Sequence, residues 1–339
     1  MQNIQALRFG VLGAANIARS FVAGVAGSPW IDVVGVASRD LEKSRQFAKE
    51  VRIPNAYGSY EALLDDQSID AVYVPLPNTL HAEWVIKALD AGKHVLCEKP
   101  LAVTAEDARR MFDAARRNER FLAEAYPYRA QEQTLELQRL LADGAIGTVQ
   151  TVHASFGVTF TDPANIRLDP ARGGGVLLDA GSYAMNFVRM VAGEAPVRAS
   201  AMVRWGETGI DRTVVANLEF PSGVLGQITC SFSTAYHRHA LIAGSAGILE
   251  TTFLNHPPEA GPPEIHLRRG VLSSTRRDTL VLSGGNGFRA EAESFFRAIV
   301  EHPDAWTGCS EQESIDTLAA LEAVARSIRS GQTETVFGA

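Results

Sequence analysis

Three polar residues at helical spacing follow a run of glycines near the middle of the chain. If the stretch 173–186 opens a helix after its glycines, Asp179, Tyr183 and Asn186 fall at i, i+4 and i+7 on one face. Their neighbours are mostly apolar, and a buried carboxylate or phenol is costly unless it is satisfied. The stripe is therefore either an internal hydrogen-bond network or a proton-transfer site.

A lysine follows another predicted strand, in the segment Glu98-Lys99-Pro100. Between a buried strand and a rigid proline, its position is fixed at the edge where open parallel sheets bind ligands. A free phenol titrates near pH ~10, and an adjacent ammonium stabilises the phenolate and lowers that pKa. Lys99 and Tyr183 could therefore form an acid–base pair, with Lys99 also polarising the substrate oxygen.

The first predicted β-α turn reads Gly10-Val-Leu-Gly13-Ala-Ala15-Asn-Ile-Ala18. Its spacing matches the dinucleotide fingerprint, with alanines in place of the second and third glycines. Gly13 permits the tight turn, and Ala15 lets backbone N–H groups approach a pyrophosphate. Because the motif follows the first strand and opens a helix, nucleotide binding is favoured over an ordinary turn.

Ser38 and Arg39 end the second predicted strand, where NAD enzymes usually carry an acidic residue for the ribose hydroxyls. Arg39 can engage a 2′-phosphate and stack on adenine, and Ser38 can donate a hydrogen bond. The alternative is a solvated surface arginine. We predict NADP, with NAD less favoured.

A fourth segment leaves the next strand of the sheet as Pro75-Leu76-Pro77-Asn78-Thr79-Leu80-His81. Its position at the ligand crevice favours cofactor contact. Asn78 or Thr79 could instead cap the following helix, because asparagine is a common N-cap. His81 could equally be a surface residue at the start of that helix.

These residues are positioned by two different patterns of elements. The first third of the chain alternates buried strands with amphipathic helices, which predicts a doubly wound parallel sheet over residues 1–126. From 127 to 339, alternating strands and hairpin turns predict an α+β domain with a mostly antiparallel sheet, closed by two helices. Residues 255–277 are rich in Pro, Gly and Arg and are predicted to form a loop.

Composition narrows the classes of function. With 339 residues, 46% of them hydrophobic, the chain can form two domains with substantial cores. A net charge of −7 argues against nucleic acid or an anionic membrane as the main partner. The sequence contains no signal-peptide pattern and no apolar run of membrane-spanning length. Three scattered cysteines predict a reducing, cytoplasmic setting without disulfides or a metal site.

Taken together, these segments resemble the oxidoreductase family typified by glucose–fructose oxidoreductase and inositol 2-dehydrogenase, the Gfo/Idh/MocA family. Many members have histidine where this chain has Tyr183. Here the sequence is similar to the branch with dimeric dihydrodiol dehydrogenases and NADP-dependent xylose dehydrogenases. The segments that carry the resemblance are Gly10–Ala18, Pro77-Asn78, Glu98-Lys99-Pro100, Glu124-Ala125 with Arg129, and Gly173–Asn186.

The resemblance implies a Rossmann domain followed by an α+β domain whose large open sheet supports a homodimer or homotetramer. It implies reversible hydride transfer between NADP and a secondary or anomeric carbinol of a sugar, polyol or cyclic diol. The implied catalytic residues are Lys99, Tyr183 and Asp179, with Asp179 orienting the substrate hydroxyl or Lys99. The cofactor residues are Gly13, Ala15, Asn16, Ile17, Ser38, Arg39, Leu76, Pro77, Asn78, His81, Glu98 and Lys99, and the substrate-side residues are Arg129, Arg167, Arg172 and Asn186.

Two other functions remain open at this point. One is a non-catalytic binding protein that responds to NADP, since fold alone does not fix function. Retention of both Lys99 and Tyr183 argues against it, because a sensor needs no proton path. The other is an enzyme that keeps its cofactor permanently bound and uses it in redox-assisted sugar chemistry.

Overall fold

The structure is a computed structural model that describes residues 5–256, 261–270 and 275–337. Two compact units make up this part of the chain, and the change of unit between Ala130 and Gln131 falls close to the predicted boundary at 126. The first unit contains the residues up to Ala102, Glu106–Ala130 and Asn286–Glu311. The second contains Val103–Ala105, Gln131–Gly285 and the residues from Gln312 onward.

The sheet of the first unit has six parallel strands in the order β3-β2-β1-β4-β5-β6. Its central strands are buried almost throughout, as expected for a sheet covered on both faces. The predicted doubly wound parallel sheet is therefore confirmed. The strands are β1 Leu7–Leu12, β2 Ile31–Ala37, β3 Asn55–Tyr57, β4 Ala71–Val74, β5 His94–Glu98 and β6 Leu122–Ala125.

The helices of the structure have the buried apolar faces and N-caps that their sequences indicate. The first helix is amphipathic, and its apolar side chains at helical spacing are buried: Ala18, Phe21, Val22 and Val25. Asp40 and Ser59 accept backbone N–H groups at the starts of the second and third helices, as good N-caps do. In chain order the helices are α1 Asn16–Val25, α2 Leu41–Val51, α3 Tyr60–Leu64, α4 His81–Asp90, α5 Ala105–Arg117, α6 Glu132–Ala142, α7 Ser182–Ala192, α8 Gly287–Val300 and α9 Glu311–Ser330.

Helix α8 corrects the predicted domain division. The sequence analysis assigned it to the second domain, whereas the segment 286–311 belongs to the first unit. The apolar face of α8 joins the core formed by β1 and α1, and the ring centroids of Phe9 and Phe295 lie 5.8 Å apart. Because burying these aromatic faces outweighs closeness in sequence, the chain returns to its first unit late.

The second unit contains a nine-stranded sheet in the order β14-β13-β12-β11-β7-β10-β9-β8-β15. Only its β7–β10 pair is parallel, so the predicted mostly antiparallel sheet is confirmed. The strands are β7 Val149–Gly157, β8 Arg198–Trp205, β9 Asp211–Glu219, β10 Leu225–Ser231, β11 His237–Gly244, β12 Gly247–Thr251, β13 Glu264–Arg269, β14 Arg276–Val281 and β15 Glu334–Thr335.

The prediction of a loop over residues 255–277 is wrong in its described part. Strand β13 pairs with both β12 and β14, and its Ile265 and Leu267 are buried. The alternation of these two side chains with polar ones is typical of a strand, but it is short and surrounded by Pro, Gly and Arg. Residues 257–260 and 271–274 of this stretch lie outside the described residues.

Over the residues described, no helix is long and apolar enough to cross a membrane. No group of three or more His, Cys, Asp or Glu side chains in those same ranges could hold a metal ion. Cys97, Cys230 and Cys309 are all buried, and none of the three is in a disulfide.

Candidate functional site

The turn after β1 has the backbone geometry that its glycine predicts. Gly13 has a φ of +121°, a conformation that side-chain-bearing residues rarely adopt. A Cβ atom at this position would lie 3.0 Å from Leu76 Cδ2, so the site also lacks room for a side chain. The turn therefore brings backbone close to the sheet edge, as a nucleotide-binding turn requires.

Helix α1 begins directly after this turn with an open N-terminus. Its N-cap is Ala15, which makes no capping hydrogen bond, and its first turn, starting at Asn16 and Ile17, contains no acidic residue. The first N–H groups of a helix need acceptors and favour negative charge. The residues present fit the pyrophosphate of a dinucleotide, which would supply both.

The end of β2 carries a basic side chain at the surface. Arg39 is exposed, and its guanidinium opposes the rise that burial causes in the pKa of Tyr60. Ser38 is buried, and its Oγ accepts a 3.3 Å hydrogen bond from the backbone N–H of Asp40. The positive side chain at this strand end fits an adenosine 2′-phosphate better than bare ribose hydroxyls.

The segment after β4 was open to two alternative interpretations, a helix cap at Asn78 or Thr79 and a surface position for His81. The structure contradicts both. Asn78–Leu80 is a 3-10 turn with Pro77 as N-cap, and the N-cap of α4 is Leu80. The helix-cap interpretation of Asn78 and Thr79 is therefore wrong. Pro77 occupies the N-cap position of the 3-10 turn, and Leu80 occupies that of α4. Neither position is therefore left for Asn78 or Thr79.

His81 is a buried residue that links two backbone segments, not a surface residue. It is fully buried, with Nδ1 2.9 Å from the Pro100 carbonyl and Nε2 2.8 Å from the Leu76 carbonyl. Burial lowers its pKa against the effect of these carbonyls, and Lys99 lowers it further. Both ring nitrogens face the backbone, so any contribution of His81 to cofactor binding is made through the segments that it joins.

Two buried carboxylates accept hydrogen bonds from the backbone at and just after Lys99. Its backbone N–H donates to Glu98 Oε2 at 3.3 Å, and Glu98 also bonds to the Tyr73 hydroxyl. The peptide bond from Lys99 to Pro100 is cis. One residue later, Leu101 N–H donates to Glu124 Oε1 at 2.8 Å. Hydrogen bonds to the main chain on both sides therefore hold the lysine in place.

A third carboxyl group completes this buried acidic cluster. Glu291, on α8, is fully buried, and burial together with Glu98 and Glu124 raises its pKa well above the usual range. The same two glutamates, after burial itself, raise the pKa of Cys97. The raised pKa favours the neutral form of Glu291, which lessens the repulsion among the three carboxyl groups.

The helix predicted to carry Asp179 and Tyr183 is not a regular α-helix. Leu177–Gly181 forms a π-helical turn that leads into α7, so Asp179 and Tyr183 do not stack as an α-helical i, i+4 pair. Tyr183 and Asn186 lie within α7, are both buried, and share a face. Wide turns of this kind recur at functional sites.

Asp211, a residue that the sequence did not single out, holds the start of the π-helical turn. Its Oδ2 accepts the Leu177 N–H at 2.6 Å, and burial raises its pKa to about 6. Gly175, with φ +119°, lies against the same carboxylate, which a Cβ atom there would overlap. Asp211 is the first residue of β9 and lies far along the chain from Leu177, so the sequence gives no signal of their contact.

The surroundings of Tyr183 contain two further residues that sequence analysis missed. Its hydroxyl accepts a 2.8 Å hydrogen bond from Asn255 Nδ2, and the Arg238 guanidinium lies 4.4 Å from the centroid of its ring. The ring also packs edge-on against Phe156 at 5.6 Å. The phenol is thus buried, oriented and close to a positive charge.

The predicted substrate-side residues are dispersed. Arg167 Nε donates to Asp179 Oδ2 at 2.8 Å, so two predicted site residues form an ion pair with each other. Arg172 pairs with Asp169 at the surface, and Arg129 is buried in the first unit. Lys99 belongs to the first unit and Tyr183 to the second, so their meeting is part of the function proposed below.

Comparisons with known proteins agree with the two-unit organisation. A family model described as oxidoreductase family, NAD-binding Rossmann fold, matches residues 7–126. A model described as the GFO/IDH/MocA C-terminal domain matches residues 134–250. Together they cover well over half of the sequence.

Relatives of this chain include proteins named as dehydrogenases. D-xylose 1-dehydrogenase (NADP(+)) 2 of Haloferax volcanii is 34% identical over 96% of this chain and 98% of its own. Trans-1,2-dihydrobenzene-1,2-diol dehydrogenase of Oryctolagus cuniculus is 40% identical over 71% of this chain and 74% of its own.

A solved structure matches at similar length. KijD10, a 3-ketoreductase from Actinomadura kijaniata solved with NADP and TDP-benzene, is 31% identical with a TM-score of 0.86, covering 95% of this chain and 98% of that one. The predicted fold class, nicotinamide cofactor and enzyme class are confirmed. The chain is therefore an oxidoreductase of the GFO/IDH/MocA family, with an NAD-binding Rossmann domain followed by the family's C-terminal domain.

Proposed function

We propose that this protein is an NADP-dependent oxidoreductase acting on a carbinol carbon of a sugar, polyol or cyclic diol. The observation that carries the proposal is the buried phenol of Tyr183, whose hydroxyl has a fixed hydrogen-bond donor and a nearby cation. A phenol in such surroundings is suited to gain and lose a proton.

NADP is supported over NAD by the end of β2. Arg39 supplies an exposed positive charge where an NAD enzyme would carry a carboxylate, and Ser38 adds a hydroxyl beside it. The xylose dehydrogenase relative is named for NADP(+), and the related ketoreductase was solved with NADP. Gly13, Ala15, Asn16 and Ile17 would hold the pyrophosphate, with Leu76, Pro77 and Asn78 beside the nicotinamide half.

The chain's own residues would manage the proton and the orientation of substrate, while the bound cofactor supplies hydride chemistry. Tyr183 would exchange a proton with the substrate oxygen, and the Lys99 ammonium would stabilise both the phenolate and that oxygen. Glu98 would hold Lys99 through its main chain, and His81 would hold the segments around it. Asp179, through its ion pair, would position Arg167 toward substrate hydroxyls.

The pairing of Lys99 with Tyr183 has independent support. The related ketoreductase has also been solved as lysine-to-alanine and tyrosine-to-phenylalanine variants, each with NADP. The two substituted positions have the same separation along that chain as Lys99 and Tyr183 have here. The substrate class is supported by the xylose and dihydrodiol named in the relatives, with Arg129, Arg172 and Asn186 as further candidates for substrate contacts.

The test is a screen for absorbance change at the NADPH band. NADP+ or NADPH is offered with aldoses, anhydro-ketoses, inositols and dihydrodiols, and NAD+ serves as the cofactor control. Tyr183→Phe should abolish turnover while leaving NADP affinity nearly intact. Tyr57→Phe, which removes a hydroxyl bonded to Asp66 instead, should turn over normally. Unchanged turnover in Tyr183→Phe would remove the tyrosine from the mechanism and overturn the proposal.

A second candidate is oxidoreduction between two sugars by an enzyme that retains its cofactor. It is favoured by a related structure, the aldose-aldose oxidoreductase of Caulobacter crescentus, which is 27% identical with a TM-score of 0.85 and covers 97% of this chain and 99% of that one. Gel filtration separates the two: NADP that stays with the protein through dilution supports this candidate, and NADP that leaves supports a dehydrogenase.

We further propose that the protein forms a homodimer or homotetramer through the outer face of its second sheet. Met202 and Leu225 project from that face with 80% and 56% of their surface exposed, and both align in register with β9. Exposed apolar side chains on one sheet face favour association. Light scattering of Met202→Asp with Leu225→Asp should report monomers if this face is the interface.

A further inference from the structure

The Tyr183 hydroxyl is linked through Asn255 to the half-buried guanidinium of Arg238. Asn255 Nδ2 donates to Tyr183 Oη at 2.8 Å, and Arg238 Nη1 donates to Asn255 Oδ1 at 3.3 Å. The same guanidinium lies over two aromatic rings, 4.4 Å from the centroid of Tyr183 and 4.0 Å from that of Phe156. All four residues belong to the second unit, and we call Arg238 and Asn255 the relay.

The relay determines which way the amide and the phenol point. A guanidinium can only donate hydrogen bonds, so the Asn255 oxygen must face Arg238 and its NH₂ group must face Tyr183. The phenol oxygen is therefore an acceptor toward Asn255. Its own proton must point in another direction, away from the relay. Asn255 and Tyr183 are 7% and 4% exposed, so water does not compete strongly for these bonds.

We infer that Arg238 and Asn255 are positioning residues that aim the Tyr183 proton at the substrate oxygen and stabilise the phenolate. This inference rests on the function proposed above. In the oxidation direction the phenolate oxygen takes the proton of the substrate hydroxyl, and the carbinol C–H gives its hydride to NADP+. The products are a carbonyl compound, NADPH and a neutral phenol, so atoms and charge balance.

Two other titratable groups of this unit stand close to Tyr183 or Asn255 in the chain. Asp179, four residues earlier, is paired with Arg167, and His256 follows Asn255. Burial first and Arg238 second lower the pKa of His256, so the imidazole is neutral at neutral pH. The guanidinium thus supplies positive charge at the ring face, and the amide supplies a donor to the oxygen.

The relay can be tested without knowing the substrate. The full chain, labelled with [¹³Cζ]tyrosine and saturated with NADP+, is titrated by NMR, and Tyr183→Phe identifies the Tyr183 signal. In Arg238→Met the titration midpoint of that signal should move up by about one pH unit, a tenfold weaker ionisation. Asn255→Leu should move it in the same direction. Arg276→Met, which removes an exposed arginine of β14, should leave it unchanged.

An unchanged midpoint in both relay variants overturns the inference, and Asn255→Leu decides it if Arg238→Met does not fold. With a substrate from the screen, Arg238→Met should lower kcat about tenfold at pH 7 and recover it at high pH, with an unchanged KM for NADP+. A purely structural defect would lower kcat at every pH. Turnover retained by Tyr183→Phe would instead remove the proposed function, whatever the NMR result.

Discussion

The two proposed catalytic groups are held in place by different kinds of contact. In the first unit, Lys99 is fixed by its backbone: buried carboxylates accept N–H groups beside it, and His81 joins the neighbouring carbonyls. In the second unit, Tyr183 is fixed at its functional end, where Asn255 reaches the hydroxyl and Arg238 covers the ring. Changes around Lys99 should therefore affect folding, whereas changes around Tyr183 should affect chemistry.

The largest expected effect tests Lys99 itself. Lys99→Met removes the ammonium but none of the backbone bonds that hold residue 99, so turnover should fall about 10²- to 10⁴-fold while the unfolding free energy stays within about 0.5 kcal/mol. Steady-state kinetics and urea unfolding measure the two quantities. Lys87→Met, at an exposed lysine on α4 paired with Glu83, is the matched control and should keep full turnover. Turnover within tenfold of wild type would contradict the assignment.

The next effect concerns the backbone around Lys99. His81→Leu deletes the partner of two buried carbonyls, at Leu76 and Pro100, and should lower the unfolding free energy by about 3 kcal/mol. Urea unfolding provides the measurement, with His302→Leu, at an exposed histidine, as the control. If His81→Leu lowered the unfolding free energy no more than His302→Leu does, His81 would not hold the backbone around Lys99. The contrast drawn above between Lys99 and Tyr183 would then fail.

A smaller loss is expected at the turn before the π-helical segment. Gly175→Ala combines a positive φ with overlap of the Asp211 carboxylate and should cost about 2 to 3 kcal/mol. Gly193→Ala, at φ +72° with open space around it, should cost about 1 kcal/mol and isolates the steric part. Equal losses in thermal or urea unfolding would show that Asp211 does not crowd this turn.

The smallest effect is a pH dependence at Asp211. Because its pKa is raised to about 6 in the folded protein, the folded state binds a proton more tightly than the unfolded state between pH ~4 and ~6. Its contribution to stability is therefore lost as pH rises through that window. Asp211→Asn keeps an acceptor for Leu177 N–H. As the pH rises from 4.5 to 7.5, its unfolding free energy should increase relative to that of wild type by up to about 2 kcal/mol. Parallel stability curves for the two proteins across this range would refute the prediction.

Local patterns predicted much of the fold because its elements depend on nearby residues. Helix α2 and strand β5 belong to the alternating pattern predicted over residues 1–126, since a capped amphipathic run and a buried β-rich run are both evident in sequence. Strand β13 was missed because its stability depends on pairing with β12 and β14 rather than on a long pattern. Helix α8 was recognised but assigned to the wrong unit, because its partners lie near the start of the chain.

The same limit explains what was missed at the site. Tyr183, Asp179 and Lys99 stand out through local spacing and context, whereas the relay joins residues far apart in sequence. Asn255 follows a strand in a segment that was read as a loop, and Arg238 looks like any strand arginine. The π-helical turn likewise depends on Asp211, a carboxylate that comes after the next strand.

The return of α8 to the first unit has a consequence for synthesis. Phe9 and Phe21 emerge from the ribosome long before Phe295 and Phe296, which complete the same core. The nascent nucleotide-binding unit therefore carries an uncovered aromatic surface while the stretch Gln131–Gly285 of the second unit is being made. An N-terminal fragment released before residue 286 should aggregate or recruit chaperones, and supplying 286–311 as a fused segment should rescue its solubility.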